Sequence, residues 1–231
     1  MRAVVFDFFG TLTDPGVEAG RRDAAFATAA ALGVPPEAFW TAMASSFTER
    51  ITGRHGDTRA TLAEMARRCG EEPSGARLDA AVAAHHQGSV PLWRPRPGVL
   101  GVLAGLRGRG LRLGVLSDCG AELCQGWDGT AYAPLIDATV FSWQERARKP
   151  SPRLYATIAE RLGVAPGECW YVGDGGSREH QGARDTGMRP VLVTNAGYPG
   201  AAAHRDDPDS FTPPDAVDDL TDLPALLETG R

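Results

Sequence analysis

An α/β fold built around a doubly wound parallel sheet is the fold class that the 231-residue sequence predicts. Short apolar runs have the length of buried strands, helical patterns separate them from the second run onward, and a long stretch after the first run lacks strand character. The strand-like runs are Ala3–Phe9, Arg112–Ser117, Ala138–Phe141, Cys169–Asp174 and Pro190–Asn195. Continuous apolar character is typical of strands covered on both faces, as in Rossmann-like folds.

The stretch between the first and second strands predicts an inserted helical domain. Its apolar residues recur with helical spacing, in the groups Phe39, Met43, Phe47 and Ile51, and Leu62, Met65, Ala66 and Cys69. Residues 93–98, Trp-Arg-Pro-Arg-Pro-Gly, have the composition of a stiff linker back to the sheet. We therefore expect a Rossmann-like core made of residues 1–14 and 93–231, and a four-helix cap made of residues 15–92.

The composition bounds the function classes. Hydrophobic residues make up 42% and charged residues 23% of the chain, and the formal net charge is −5, as in ordinary globular proteins. No basic block is present, so we expect no nucleic-acid partner. No apolar run approaches the roughly 18 residues of a membrane span, and no signal peptide precedes the first strand. We expect a cytoplasmic protein without a membrane partner, and the oligomeric state stays open.

Polar residues stand at the ends of three predicted strands. Asp7 lies near the end of the first strand within Phe-Asp-Phe-Phe-Gly-Thr, Ser117 closes the second and is followed by Asp118, and Asp174 closes the fourth. Each residue alone is commonplace in a turn or at a helix cap. Together they would meet at the carboxyl edge of a parallel sheet, which is where open α/β sheets bind ligands.

Lys149 is the only lysine among the 24 lysines and arginines of the chain. It precedes Pro150, just before the amphipathic helix that we predict over Pro152–Gly163. A lysine that persists where arginine is otherwise used fits a site that needs a compact ammonium group rather than a planar guanidinium. The alternative is a surface lysine that survived by chance.

The order Asp, Ser, Lys-Pro, Gly-Asp resembles the haloacid dehalogenase superfamily over nearly the whole chain, and the inserted helices match a cap of the first type. The resemblance implies a hydrolase in which Asp7 is the nucleophile and forms an acyl-type intermediate such as an aspartyl phosphate. Ser117 would hydrogen-bond the transferring group. Lys149 would neutralise charge on the nucleophile and the substrate.

The resemblance also implies a magnesium ion. Asp7, the backbone carbonyl of Phe9 and Asp174 would hold it, with Glu179 acting directly or through water. The expected substrate is a small anionic molecule, most simply a phosphate ester. Thr11 and Asp118, which belong to the first two motifs, are expected to contact it.

The sequence departs from the pattern of phosphatases in this superfamily at Phe9, where those enzymes usually carry a second aspartate. That residue protonates the leaving group, and the loss of a general acid typically costs about 10²–10⁴ in rate. The polar turn at residues 54–57, between two cap helices, offers replacements: His55 or Asp57 could donate the proton, and Arg54 could bind the anionic substrate. The turn could equally be an ordinary polar loop.

Three alternatives accompany the magnesium-dependent phosphatase. Dehalogenases of the superfamily carry an aromatic residue at the Phe9 position, but Asp174 and Glu179 argue against their metal-free chemistry. Phosphonoacetaldehyde hydrolases need a cap lysine, and residues 15–92 contain none. A weakly active protein that binds a metabolite or a partner would also explain Phe9, although it would not require the other motif residues.

Overall fold

A parallel six-stranded sheet forms the centre of the molecule, which we describe from a computed structural model covering residues 1–201 and 205–229. The strand order is β3-β2-β1-β4-β5-β6, and every neighbouring pair is parallel. This order is that of a Rossmann-like sheet and confirms the predicted fold class. The strands are β1 (Ala3–Phe6), β2 (Arg112–Ser117), β3 (Ala138–Phe141), β4 (Cys169–Gly173), β5 (Arg189–Val193) and β6 (Asp215–Val217).

Residues 15–92, which we call the helical insert, fold into helices between β1 and the rest of the core. The α-helices are α1 (Arg21–Leu32), α2 (Pro36–Ser45), α3 (Phe47–Ile51), α4 (Thr58–Arg68) and α5 (Gly75–Ser89), flanked by 3-10 turns at Pro15–Gly20 and Val90–Trp93. They bury an apolar cluster of their own, which includes Leu32, Phe39, Leu62 and Met65. The two connections to the sheet lie side by side, since Thr13 and Pro95 form an antiparallel bridge.

The insert has five α-helices where the sequence pattern predicts four. The predicted stripe from Phe39 to Ile51 is split at Ser46, which is fully buried with φ −100° and ψ 11°. The Ser46 hydroxyl donates to the carbonyl of Ala42 at 2.7 Å. A side-chain hydrogen bond to the preceding turn is a known cause of helix bending, and it separates α2 from α3.

Helices cover both faces of the sheet. In the core these are α6 (Val99–Gly108), α7 (Ala121–Gly126), α8 (Ser142–Glu145), α9 (Pro152–Leu162), α10 (Glu179–Asp185) and α11 (Leu223–Thr229). Val4 and Phe6 share a buried cluster with α6 and α11, whereas Ala3 and Val5 share another with α9 and α10. Alternate residues of β1 therefore face opposite layers, and both layers exclude water from the central strand.

Some element boundaries differ from the prediction. β1 ends at Phe6 rather than Phe9, because the N–H groups of Thr11, Leu12 and Thr13 all donate to the carbonyl of Phe8 and form a turn. The edge strand β6 was not predicted, since its three residues are too few to show a pattern. No α-helix in residues 1–201 and 205–229 is long and apolar enough to cross a membrane.

Candidate active site

The carboxyl ends of the three central strands meet at one edge of the sheet. Asp7 follows β1, Asp118 follows β2 and Asp174 follows β4, and all three side chains are buried. A cavity of about 380 Å³ lies over this edge, between the strand ends and the helical insert. Lys149 and Glu179 line the same cavity. The arrangement puts side chains from four distant parts of the sequence around one space, where an α/β sheet ordinarily binds its ligand.

Lys149 lies between two carboxylates. Its ammonium donates to Asp7 Oδ1 at 2.6 Å and to Glu179 Oε2 at 2.6 Å, and its side chain is only 3% exposed. Its backbone N–H donates to Asp118 Oδ1 at 3.0 Å, which fixes the residue on the neighbouring strand end. Burial works against the charge, but the carboxylates of Asp7 and Glu179 outweigh it and hold the pKa of Lys149 well above its usual value. The two carboxylates therefore favour the charged form of the single lysine.

Glu179 is held entirely by protein donors. Besides Lys149, the N–H of Gly175 reaches Oε1 at 2.8 Å, and the Tyr171 hydroxyl reaches Oε2 at 2.9 Å. The residue is fully buried at the start of α10, and a Cβ on Gly173 would overlap its carboxylate. Because its two oxygens already accept three hydrogen bonds, Glu179 is better suited to orient Lys149 than to bind a metal ion.

Three buried carboxylates crowd this edge. Asp7, Asp174 and Glu179 each bring an oxygen within 4.8 Å of the others. Burial raises the pKa of Asp7 to about 8; Lys149 opposes this, and the charges of Glu179 and Asp174 add to it. Burial and Glu179 also raise the pKa of Asp174, although Arg205 donates to Asp174 Oδ2 at 3.2 Å. Lys149 and Arg205 are the two cations recorded in contact with these carboxyl groups, so all three can be ionised together only if a further positive charge binds.

A magnesium ion fits the residues present. Among the described residues no donor reaches Asp7 Oδ2, and Asp174 is bonded only by the N–H of Gly176 (3.2 Å) and by Arg205. Hard oxygens with surplus negative charge are the ligands that Mg²⁺ prefers, so Asp7 and Asp174 could hold it. The oxygens of Glu179 are already engaged.

The turn after β1 is tied down by residues that sequence reasoning did not single out as a group. Arg96 and Asn195, both buried, donate to the carbonyl of Gly10 at 3.1 Å and 2.9 Å. Gly10 has φ 72°, and a Cβ there would come 2.8 Å from Asp174 Oδ2. Glycine is therefore required at this position. A charged residue in a proline-rich linker gives no local sign that it is buried, which is why Arg96 was missed.

Ser117 and Thr11 do not line the open cavity. Both are fully buried, and within the described chain neither hydroxyl oxygen has a hydrogen-bond partner. Leaving a buried hydroxyl unpaired costs about 1–3 kcal/mol. Such groups are candidates for satisfaction by a bound ligand.

Phe9 lies in the cavity wall where the resemblance led us to expect an acid. The guanidinium carbon of Arg21 is 5.3 Å from the centre of its ring, and Arg21 pairs with the buried Glu18 at 2.7 Å. The insert completes this side of the cavity with large apolar side chains, among them Trp40, Met43, Phe47 and Ile51, and Trp93 of the linker adds to them. No sequence motif predicts that these side chains line the cavity, because only the docking of the insert on the core brings them together.

Two more of the expected substrate-binding residues, Arg54 and His55, do not line the cavity in this structure. Both turn to Glu49 instead, with His55 Nε2 at 3.1 Å and Arg54 Nη1 at 3.5 Å. Two glycines with positive φ, Gly53 and Gly56, shape the turn, and the Trp143 indole donates to the Gly56 carbonyl at 2.9 Å.

The other candidate of this turn is engaged elsewhere. Asp57 caps α4 by accepting from the N–H of Ala60 at 2.9 Å. The turn is therefore an ordinary polar loop in this structure.

Comparison with known proteins places this site in a family. The sequence matches haloacid dehalogenase-like hydrolases over residues 1–187. It is 31% identical over 146 residues to the glyceraldehyde 3-phosphate phosphatase of Methanopyrus kandleri, covering 62% of each chain. It is 42% identical over 80 residues to a phosphoglycolate phosphatase of Xylella fastidiosa, covering 35% of this chain and 31% of that protein. The chain spans less than two thirds of the length of these relatives.

A solved structure agrees with the match over a longer stretch. The fold is similar to that of L-2-haloacid dehalogenase from Xanthobacter autotrophicus, with a TM-score of 0.67 and 26% identity over 99% of this chain and 98% of that one. The family match covers the strands that carry Asp7, Asp118 and Asp174, together with Lys149. The chain therefore belongs to the haloacid dehalogenase-like hydrolases.

Proposed function

We propose that the protein is a magnesium-dependent phosphate-ester hydrolase that uses Asp7 as its nucleophile. One observation carries the proposal: Lys149 is shared at 2.6 Å between Asp7 and Glu179, beside a third buried carboxylate at Asp174. A dehalogenase that releases a halide needs no such accumulation of carboxylates. A site that must bring a carboxylate to an anionic phosphate needs cations, which Lys149 and a metal held by Asp7 and Asp174 would provide.

The residues of the chain suit two successive displacements. Lys149 donates to Oδ1 of Asp7, and that oxygen keeps a second lone pair, so one oxygen of Asp7 could bind the metal while the other attacks phosphorus. The attack would form an aspartyl phosphate and expel the alcohol as its anion, and water would then cleave the new bond to release phosphate and restore Asp7. The unpaired hydroxyl of Ser117 could donate to a phosphate oxygen. A bound Mg²⁺ would supply charge neutralisation for the phosphoryl group.

Phe9 sets a limit on the leaving group. A phenyl ring donates no proton, and the neighbouring Arg21 is a cation rather than an acid. We therefore infer that esters whose alcohol is stable as an anion, such as aryl phosphates, react faster than alkyl phosphates. The charge of Arg21 would favour such an anion as it forms.

The phosphatases of Methanopyrus kandleri and Xylella fastidiosa support this proposal by likeness. The second candidate is a 2-haloacid dehalogenase, favoured by the aromatic Phe9 and by the similar fold of the Xanthobacter autotrophicus enzyme. Asp174 and Glu179 weigh against it, because a halide leaves without a metal or a proton.

One assay separates the two candidates. Phosphate release from aryl and alkyl phosphates is measured with Mg²⁺ and with chelator, halide release from 2-haloacids is measured in parallel, and Asp7→Asn serves as the blank. Metal-dependent phosphate release that the blank lacks is the expected result. Halide release without phosphate release would overturn the proposal in favour of the dehalogenase. The absence of both would leave a binding protein.

A further inference from the structure

We propose that Arg50 forms a second anion site in the insert side of the cavity, so that the leaving group of the substrate carries a carboxylate on an apolar, aromatic-sized body. This inference rests on the proposed phosphatase function and specifies the part of the substrate that the catalytic edge does not touch.

The guanidinium of Arg50 has donors to spare. Nε and Nη2 donate to the carbonyl of Met43 at 3.3 Å and 3.0 Å, and Nε also contacts the Ser46 hydroxyl at 3.3 Å. Within residues 1–201 and 205–229, no acceptor is recorded for Nη1 and no carboxylate lies within ion-pair distance. These bonds hold the guanidinium in place while leaving N–H groups for a ligand.

Neighbouring arginines of the insert behave differently. Arg22 pairs with Glu37 at 2.7 Å, Arg68 with Glu49 at 2.6 Å, and Arg59 with Asp79. These three lie on the outer surface of the insert and find acidic partners there. Arg50 is the arginine that faces the cavity without such a partner on the described part of the insert.

The surroundings of Arg50 disfavour a lone cation. Burial lowers the pKa of Arg50, the charge of Arg21 lowers it further, and Glu122 acts in the opposite direction from beyond ion-pair distance. His85 also faces this region, with its Nε2 4.0 Å from Glu122. Arg50 is half-buried in the cavity wall, so water solvates its charge only in part, and an anion delivered by the ligand would offset the lost solvation.

The position of Arg50 in the cavity indicates what kind of group joins the phosphate of the substrate to its second anion. Its guanidinium carbon is 5.9 Å from the ring of Phe47, and Phe47, Trp40 and Ile51 line the cavity beside it. The carboxylates of the catalytic edge line another part of the same 380 Å³ space. A ligand with its phosphate at Asp7 would thus lay an apolar body along these rings and present its anion to Arg50. A planar guanidinium matches a carboxylate in a bidentate arrangement.

The test compares two esters that differ in one charge: 4-carboxyphenyl phosphate and its neutral counterpart, 4-carbamoylphenyl phosphate. We expect the wild type to favour the carboxylate in kcat/KM by about tenfold to hundredfold, the range for a charged hydrogen bond. Arg50→Met should bring the ratio close to one, and Arg50→Lys should keep part of it. Arg67→Met, which removes an arginine paired with Glu64 on the surface of α4, should keep the wild-type ratio.

Because the readout is a ratio within one protein preparation, partial misfolding of a variant changes both rates and not their quotient. A wild-type ratio near one, or a ratio that Arg50→Met leaves unchanged, would overturn the inference. If the wild type hydrolyses neither ester, the proposed function fails. The anion site is then tested without turnover, by comparing the affinities of benzoate and benzamide for the wild type and Arg50→Met.

Discussion

The two sides of the cavity are built on different principles. On the catalytic edge, charged groups contact one another: Lys149 bonds to Asp7 and Glu179, and Asp118 accepts from the backbone of Lys149. On the insert side, apolar rings dominate, and the cation Arg50 has no carboxylate partner in the described chain. Preorganised charge suits chemistry that is common to many substrates. An apolar wall with a spare donor suits the recognition of one substrate.

The largest effect that we expect is a fall in kcat when Lys149, at the centre of the catalytic edge, is replaced. Lys149→Arg preserves the charge, but a planar guanidinium cannot place one nitrogen at 2.6 Å from both Asp7 and Glu179 at this buried position. We expect kcat to fall by roughly 10²–10³, the cost of losing one preorganised donor. Phosphate release under saturating ester checks this. A rate equal to that of the wild type would mean that charge alone matters.

The next largest effect concerns the leaving group. Phe9→Asp restores a carboxyl group at the position of the missing acid, and we expect it to raise kcat/KM for alkyl phosphates by about 10² while changing aryl phosphates much less. The slope of log kcat/KM against the pKa of the leaving alcohol measures the effect. Phe9→Asn is the matched control, because asparagine has the size of aspartate but carries no ionisable carboxyl group. An equally steep slope in Phe9→Asp and the wild type would contradict the role assigned to Phe9.

Metal binding can be tested without turnover. Because Asp7 and Asp174 carry the free oxygens, saturating Mg²⁺ should raise the thermal midpoint of the wild type by about 5–10 °C, the shift expected at some hundredfold excess over Kd. Asp174→Asn should lose most of this shift. Asp185→Asn, on the exposed end of α10, should keep it. An Asp174→Asn midpoint that responds to Mg²⁺ as the wild type does would remove Asp174 from the metal site.

The smallest effect is expected at the turn that faces away from the cavity. Arg54→Ala and His55→Ala remove ion pairs with Glu49 and no group that lines the cavity, so kcat/KM should stay within about twofold of the wild type. Steady-state kinetics on the same aryl phosphate gives the answer. A loss of tenfold or more would show that the turn swings toward the substrate.

The sequence predicts the catalytic edge better than the opposite wall, for a physical reason. Asp7, Asp118 and Asp174 follow buried strands, and the parallel topology alone brings strand ends together. The uniqueness of Lys149 is visible in the composition. These inferences need no knowledge of side-chain contacts.

Other features depend on distant contacts that no local pattern records. The break at Ser46, the buried position of Arg96 and the cavity-facing side chain of Arg50 all arise from packing between segments far apart in the sequence. The direction of the turn at Arg54 and His55 has no local sign in the sequence for the same reason, because Trp143 contacts this turn from the core. Helical periodicity locates helices, but it does not say which face meets the core and which meets the substrate.

The central claim is that Asp7 is the nucleophile toward phosphorus, and trapping the intermediate tests it most directly. Enzyme in excess over an aryl phosphate is quenched in acid within one turnover, and the peptide that contains Asp7 is examined by mass spectrometry. The account predicts a phosphoryl group on Asp7 in the wild type and none in Asp7→Asn, which should also lose turnover while keeping its fold. Undiminished phosphate release from Asp7→Asn, or a phosphoryl group found on another residue, would contradict it.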